Sequence, residues 1–358
     1  MTARAPTPGD PAPWFTQRST TPSGHYAFDM TGGRYSVLYF FPSSALPATT
    51  ARLDAISRDP VFDGTQRLFF GITADPADGD TRALPSGPGT RFILDADRAV
   101  ARQYGVAPGE GRWFLVDPMV RVCAVQPDTD AGMAHILALV RHLPDPAARQ
   151  SLRPTPALVL PNVLEPGLCE MLIRYFHTQP NTRSPVFTQA AQGSSFAVTD
   201  TSFKRRHDCT LRDPELVAQL QVRIIHRVVP EIEKYFQFRA TRMERMIVAC
   251  YDAAEHGCFG PHRDNTLSAT AHRRFAVSIN LNDDFDGGDL AFPEIGPHGF
   301  RPPAGGAIVF SCSVLHAVAP VTRGRRYACL PFLYDGASQT QTDTNRGRHS
   351  NTVRNQQQ

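Results

Sequence analysis

The sequence predicts two successive domains: an α/β unit, then a mainly β unit built as a jelly-roll sandwich with helices packed on one sheet. Three observations predict this. Up to about residue 145, continuous apolar runs alternate with helical patterns, which marks strands buried on both faces of a sheet. From Met243 onward the chain becomes a series of short strands punctuated by glycine pairs. A stretch rich in Pro, Ala and Arg divides the halves, and 358 residues let each half bury its own core.

In the first domain, placed at 6–143, Tyr35 to Phe41 and Leu68 to Ile72 are the continuous apolar strands. Ala96 to Tyr104 carries apolar residues at helical spacing. Strands over Arg112 to Val116 and Val120 to Val125 follow, joined at Asp117-Pro118. A helix over Gly132 to His142 closes the unit, with Met133, Ile136, Leu137 and Val140 on one face. The linker is placed at 144–156.

The second domain, placed at 157–336, opens on a strand at Ala157 to Leu160 and a helix near Gly167 to Phe176. Asp213 can cap, and Pro214 can begin, a longer helix. Its stripe is Leu216, Leu220, Ile224, Val228 and Ile232, with a bend at Pro230. Strands follow at Arg245 to Tyr251, Phe275 to Leu281, Asp289 to Phe292, Ala307 to Cys312 and Tyr327 to Tyr334, with Gly287-Gly288 and Gly305-Gly306 as turns. The polar segment Thr182 to Cys209, centred on Gly193-Ser194-Ser195, reads as a mobile loop near the pocket mouth. The polar tail 337–358 is expected to be disordered.

Charge and cysteine usage narrow the function. A net charge of +3 is too small to argue for nucleic acid or an anionic membrane. The run Lys204-Arg205-Arg206-His207 reads as a local solvated patch that offers an acidic substrate a surface. The seven cysteines form no CxxC and no zinc spacing, so the expectation is reduced thiols in a cytoplasmic protein. Met1 to Trp14 lacks an apolar core, so no signal peptide is expected, and no apolar run is long enough to span a bilayer.

The chemistry sits in the last third. His262 and Asp264, two residues apart in an extended segment, project to one side. His316 can complete a triangular face of two imidazoles and one carboxylate, which leaves half of an octahedron open for ligands. A zinc hydrolase is disfavoured because HExxH is absent and no other His/Asp cluster suggests a second metal. Ser278 and Asn280 share one strand face, opposite Val277, Ile279 and Leu281, and so are candidates to line the pocket. Arg326 follows ten positions after His316, and alternation along Arg325-Arg326-Tyr327-Ala328 lets only one of the two arginines face inward.

With "YDAAEHGCFGPHRDN", "VSINLNDDFDGGDLAFPE" and "PAGGAIVFSCSVLHAVAPVTRGRRYA" in this order, residues 157–336 resemble the prolyl-4-hydroxylase-like branch of the 2-oxoglutarate- and Fe(II)-dependent dioxygenases. The resemblance implies a double-stranded β-helix. It implies Fe(2+) held by His262, Asp264 and His316, with 2-oxoglutarate and O2 as cosubstrates and ascorbate as a candidate reductant. The family spacing selects Arg326 to anchor the far carboxylate of 2-oxoglutarate, for which a planar charged fork is suited. Tyr251 falls where similar proteins place a cosubstrate tyrosine. Tyr251 and Asn280 are therefore cosubstrate candidates, with core or hairpin roles as the alternative.

Residues 6–143 resemble a peroxiredoxin of the thioredoxin-like fold, through "PGDPAPWF", "GGRYSVLYFFPSSALPATT", "FFGITADPAD", "RFILDADRAVARQYGV" and "RWFLVDPMVRVCAV". The loop that would present the peroxidatic thiolate, Pro42 to Thr50, holds no cysteine, and Thr49 stands in its place. Arg112 matches the arginine that would support the thiolate. Cys123, the domain's one thiol, reads as a packed strand residue. Scaffold, homodimerisation surface and substrate docking all stay open for this domain.

The leading reading is a 2-oxoglutarate-dependent hydroxylase that acts on a small-molecule or protein substrate, a prolyl residue or amino acid by analogy, and releases succinate and CO2. The alternative is a non-catalytic iron- or 2-oxoglutarate-binding protein with a scaffold redoxin domain. Retention of Asp264 weighs against it. A peroxidase is disfavoured by the missing cysteine.

Overall fold

The computed structural model describes residues 5–145, 155–189 and 195–339. The chain divides into two compact units between residues 154 and 155, with 293–297 grouped with the first. Most of the linker 144–156, the Gly193-Ser194 centre of the polar segment and tail residues 340–358 lie outside the described residues.

The first unit is built on a five-stranded sheet in the order Thr90–Leu94, Arg67–Thr73, Tyr35–Phe41, Arg112–Val116, Val122–Pro127. The first three strands are parallel and the last two pairings antiparallel. Every residue of Tyr35–Phe41 is buried. Leu38 and Phe40 pack into one core, while Val37, Tyr39 and Phe41 enter a second core on the opposite face. This is why the run lacks hydrophobic alternation.

Local chemistry shortens two expected elements. The Asp95 carboxylate accepts from the Val100 and Ala101 backbone N–H groups (2.9 and 2.8 Å), and Arg98 takes φ 57°, so the helix covers only Ala99–Gln103. The turn after Asp117 runs further than expected. Asp117 Oδ1 accepts from the Met119 and Arg121 N–H groups, Val120 sits at φ 58°, and the strand starts at Val122. The closing helix, Asp130–His142, is capped by the Thr129 side chain, which accepts from Gly132 N at 3.0 Å. Cys123 is exposed, contrary to the packed position expected, because its strand has an outward face there.

The second unit has a five-stranded sheet carrying Lys204–Arg205, Cys258–His262, His316–Val318, Leu290–Ala291 and Gly299–Phe300. A larger sheet includes Ile247–Asp252, Phe275–Asn280, Ala307–Ser311, Arg325–Cys329 and Phe332–Tyr334. Helices Pro166–Thr178, Pro214–Arg227 and Val229–Phe236 share one core with the larger sheet: Leu172, Leu220, Ile224 and Ile232 meet Val248, Val277, Ile279 and Cys329.

The expected bend at Pro230 is a full break at Val228, where proline cannot supply the N–H that would continue the ladder. Asp213 caps the preceding helix by accepting from the Glu215 and Leu216 N–H groups. The expected strand from Arg245 divides at Arg245 itself, which has φ 65°, leaving Arg242–Glu244 and Ile247–Asp252. The strand expected over Tyr327 to Tyr334 likewise divides at Leu330-Pro331.

The segment Thr182 to Cys209 is not the single loop expected. It contains the antiparallel hairpin Val186–Gln189 with Ser195–Val198, and Lys204–Arg205 and His207–Thr210 pair into the two sheets. Its polar residues saturate strand edges and internal ion pairs. The start of the tail is ordered as well: Ser338 is buried and its backbone N–H bonds the Asp335 carboxylate.

Candidate metal centre

His262 and His316 are cross-strand partners in the smaller sheet, so both imidazoles project from one face. The strand ends at His262, and Asp264 lies in the turn beyond it rather than in the extended segment expected. Its backbone N–H donates to Cys312 O at 3.0 Å, which fixes where the carboxylate points. The ligand-type atoms of His262, Asp264 and His316 all lie within 4.8 Å of one another, close enough to share a metal ion.

Tautomers follow from the hydrogen bonds. His262 Nδ1 lies 2.9 Å from Gly260 O and His316 Nδ1 lies 3.0 Å from Val314 O. A carbonyl only accepts, so each Nδ1 carries the proton and each Nε2 presents a bare lone pair. Those Nε2 atoms stand 3.6 and 3.3 Å from the Asp264 oxygens. Phe259 stacks on His262 at 3.6 Å, and Phe310 meets His316 edge-on at 4.6 Å, which holds both rings.

Burial pushes the His316 imidazole down to about 4, with His262 adding to the effect, so it is neutral at pH 7. Burial alone would raise the Asp264 carboxyl. The two imidazoles and Arg245 outweigh burial and hold it well below the usual carboxylate range, so it is ionised. The Nε2 atoms of His262 and neutral His316 and one ionised carboxylate oxygen therefore converge.

These groups line an open pocket between the two sheets, with Tyr251, Ser278, Arg206 and Arg245 also on its wall. Arg326 does not line the pocket itself but is buried against Ser278 and Tyr251 of its wall, and Arg325 is paired outside with Asp252, so the strand turns Arg326 inward. Arg326 Nε donates to Asn280 Oδ1 (3.0 Å) and Nη2 to Ser278 Oγ (2.9 Å). Its Nη1 is buried with no hydrogen-bond partner among the described residues. Burial lowers its affinity for its proton, but a guanidinium stays charged.

Asn280 is fully engaged, since its Nδ2 donates to Pro302 O at 2.8 Å; its contact is with Arg326. Tyr251 is the cross-strand partner of Arg326, and the guanidinium carbon lies 5.4 Å from its ring centre. Gly288 is required beside them: it has φ 68°, and a Cβ would stand 3.2 Å from Arg326 Cδ.

Sequence reasoning missed a buried charged cluster on the same wall. Lys204 and Arg206 are 5% and 2% exposed, so the basic run is not a solvated patch. Arg206 grips Asp208 through Nε (2.7 Å) and Nη2 (2.8 Å), and donates to Tyr251 Oη at 3.3 Å. Arg206 holds the Asp208 carboxyl well down against the effect of burial. Burial pushes the Lys204 ammonium down to about 6. The usable signal was alternation: in a strand, Lys204 and Arg206 share the face that Arg205 does not.

No family model matches the chain. Its sequence is similar to PKHD-type hydroxylases. One, from Synechococcus sp. (strain JA-2-3B'a(2-13)), is 30% identical over 126 residues, covering 32% of this chain and 55% of that protein. The chain spans about half the length of the curated relatives it matches. Among solved structures, a 2OG-Fe(II) oxygenase family oxidoreductase from Burkholderia pseudomallei aligns at 20% identity over 57% of this chain and 92% of its own, with a TM-score of 0.37. A 2-Cys peroxiredoxin from Plasmodium vivax aligns at 15% identity over 38% and 80%, with a TM-score of 0.32. Among the described residues no helix is long and apolar enough to cross a membrane.

Proposed function

We propose that the second unit, residues 157–336, is an Fe(II)- and 2-oxoglutarate-dependent dioxygenase of jelly-roll architecture that hydroxylates a carbon of a small-molecule or protein substrate. The observation that carries this reading is the convergence of two imidazole Nε2 atoms on ionised Asp264, with Arg326, whose Nη1 is unpartnered, held against Ser278 and Tyr251 of the same pocket wall. The donor set fits a ferrous ion, and the orphaned buried donor fits the distal carboxylate of a 2-oxo acid. When bound, iron with 2-oxoglutarate and O2 supplies oxidative decarboxylation to succinate and CO2, coupled to hydroxylation of the substrate.

The chain's own residues bind, orient and exclude water. His262, Asp264 and His316 hold the metal from one side. Their Nδ1–H bonds to Gly260 O and Val314 O keep the rings from turning. Arg326 takes the far carboxylate end-on, while Asn280 and Ser278 fix its plane; Asn280 is thus a positioning residue. Tyr251 packs against the guanidinium. Phe310, Phe332, Leu290 and Val318 give the pocket an apolar wall that strengthens every charge interaction inside it. For the first unit we propose a thioredoxin-like module with a scaffold or homodimerisation role, since Thr49 cannot act as a peroxidatic thiolate.

The test is anaerobic titration of 2-oxoglutarate into the Fe(II)-loaded chain, followed by the visible metal-to-cosubstrate charge-transfer band. The expected result is a saturable band, and succinate release once air and ascorbate are admitted. Stoichiometric iron with no band would refute the dioxygenase and leave a metal-binding protein.

A further inference from the structure

Of the two guanidiniums that line the pocket, Arg245 is the less closely paired. Its nearest carboxylate, Asp208, has both oxygens engaged by Arg206 at 2.7 and 2.8 Å and also accepts from Ser184 Oγ at 2.7 Å. Arg245 Nη2 reaches it only at 3.4 Å. Its other neighbour is the face of Phe332, 5.5 Å away. The pocket's remaining carboxylate, Asp264, faces the two imidazoles.

Two guanidiniums therefore share one close carboxylate, Asp208. Arg245 keeps 26% of its side chain accessible, whereas Arg206 is closed off at 2%. The backbone at Arg245 is left-handed, φ 65°, a conformation that strains a non-glycine residue. Such strain persists where the surroundings hold the residue in place.

We propose that Arg245, backed by Arg206, is a carboxylate subsite, and that the substrate of this pocket carries a carboxylate that docks there. The substrate assignment rests on the dioxygenase reading; the anion subsite does not. A guanidinium fork matches a carboxylate with two parallel N–H bonds. With Asp208 beside the two guanidiniums and Asp264 at longer range, the wall carries no surplus large enough for a dianion, which favours a carboxylate over a phosphate. The carboxylate can be that of a free amino acid or an acidic side chain of a peptide.

The experiment is saturation-transfer NMR on the full-length chain loaded with Zn(II), a diamagnetic stand-in, with 2-oxoglutarate saturating and its own resonances as a control. The probes are isobutyrate against isobutyramide, methyl phosphate, free alanine, and a blocked Ala-Glu-Ala tripeptide against its Gln counterpart. The expected result is transfer to isobutyrate and not to its amide or to methyl phosphate. Arg245→Met should reduce the isobutyrate signal at least fivefold, and Arg245→Lys should retain part of it. Unchanged transfer to 2-oxoglutarate in both variants reports an intact fold.

Alanine or the Glu tripeptide binding above its control identifies the source of the carboxylate. Equal transfer to acid and amide, no transfer to isobutyrate, or no effect of Arg245→Met overturns the subsite. Absence of 2-oxoglutarate transfer in the parent protein refutes the dioxygenase reading instead, while the isobutyrate arms still decide the subsite.

Discussion

Arg326→Ala should weaken 2-oxoglutarate binding by two to four orders of magnitude, and the figure can be worked from the side chain's hydrogen bonds. A guanidinium has five N–H donors. Nε and one Nη2 proton are spent on Asn280 and Ser278, which leaves both Nη1 protons and one on Nη2. That end of the fork offers a carboxylate two parallel bonds. Hydrogen bonds to charged groups contribute about 1.5–3 kcal/mol each. Losing two costs roughly 3–6 kcal/mol, and each ~1.4 kcal/mol is a factor of ten in Kd.

Asn280→Ala and Ser278→Ala each remove one acceptor that sets the plane of the fork, and should cost about 1 kcal/mol, or roughly fivefold. Arg325→Ala should change Kd less than twofold, because that side chain points outward and pairs with Asp252. The assay is the anaerobic titration, run on all four variants at stoichiometric iron. A Kd for Arg326→Ala within threefold of the parent, or a larger loss from Arg325→Ala, would refute the assignment.

Asp264→Ala should lower Fe(II) affinity by on the order of a hundredfold or more, read by equilibrium dialysis, since even outer partners of metal ligands are worth 10–100-fold. Arg205→Glu should leave urea unfolding of the second unit nearly unchanged. Arg206→Glu should destabilise that unit by about 3–5 kcal/mol, because it sets a second buried carboxylate against Asp208 and removes that residue's partner. Lys204 has a folded-state pKa of about 6 against an ordinary 10.5, so between these values the unfolded chain binds more protons and stability rises with pH. Lys204→Met should therefore raise stability most at pH 6 and below, with the gain shrinking by more than half by about pH 9; a gain that grows with pH would contradict the sign. Of the seven cysteines only Cys123 is exposed, so a native thiol assay should register one fast thiol per chain and seven in denaturant.

The legible parts of this fold were those in which one periodicity governed a whole element. Tyr35–Phe41 is apolar throughout because it faces two cores, and the stripe Leu220, Ile224, Ile232 meets one sheet. Errors fell where a single residue outvoted the pattern: Asp95 and Asp117 bonding backbone N–H groups, Pro230 breaking a helix, Arg245 turning left-handed. At the site, His262, Asp264, His316 and Arg326 are recognisable by spacing. Asp208, Arg206 and Arg245 are not, because Arg245 meets the other two only after two strands pair across sequence separations of 37 to 43 residues. A run of basic residues with polar neighbours reads as surface unless the pairing that buries it is known.

That pairing explains how the pocket comes to hold both charged and apolar side chains. The smaller sheet supplies His262 and His316 as cross-strand neighbours, and the larger sheet supplies Tyr251 and Arg326 in the same relation. Each pair is fixed by backbone register, so a one-residue slip in either sheet would turn its side chains to the opposite face. The two sheets then meet over an apolar floor that includes Phe310 and Phe332. The cost of desolvating Arg326 and Arg206 is met by Asn280, Ser278 and Asp208, all within 3.0 Å of a guanidinium nitrogen. Arg245 has only the 3.4 Å contact with Asp208, which leaves it to meet a substrate, as the orphaned Nη1 leaves Arg326 to meet the cosubstrate.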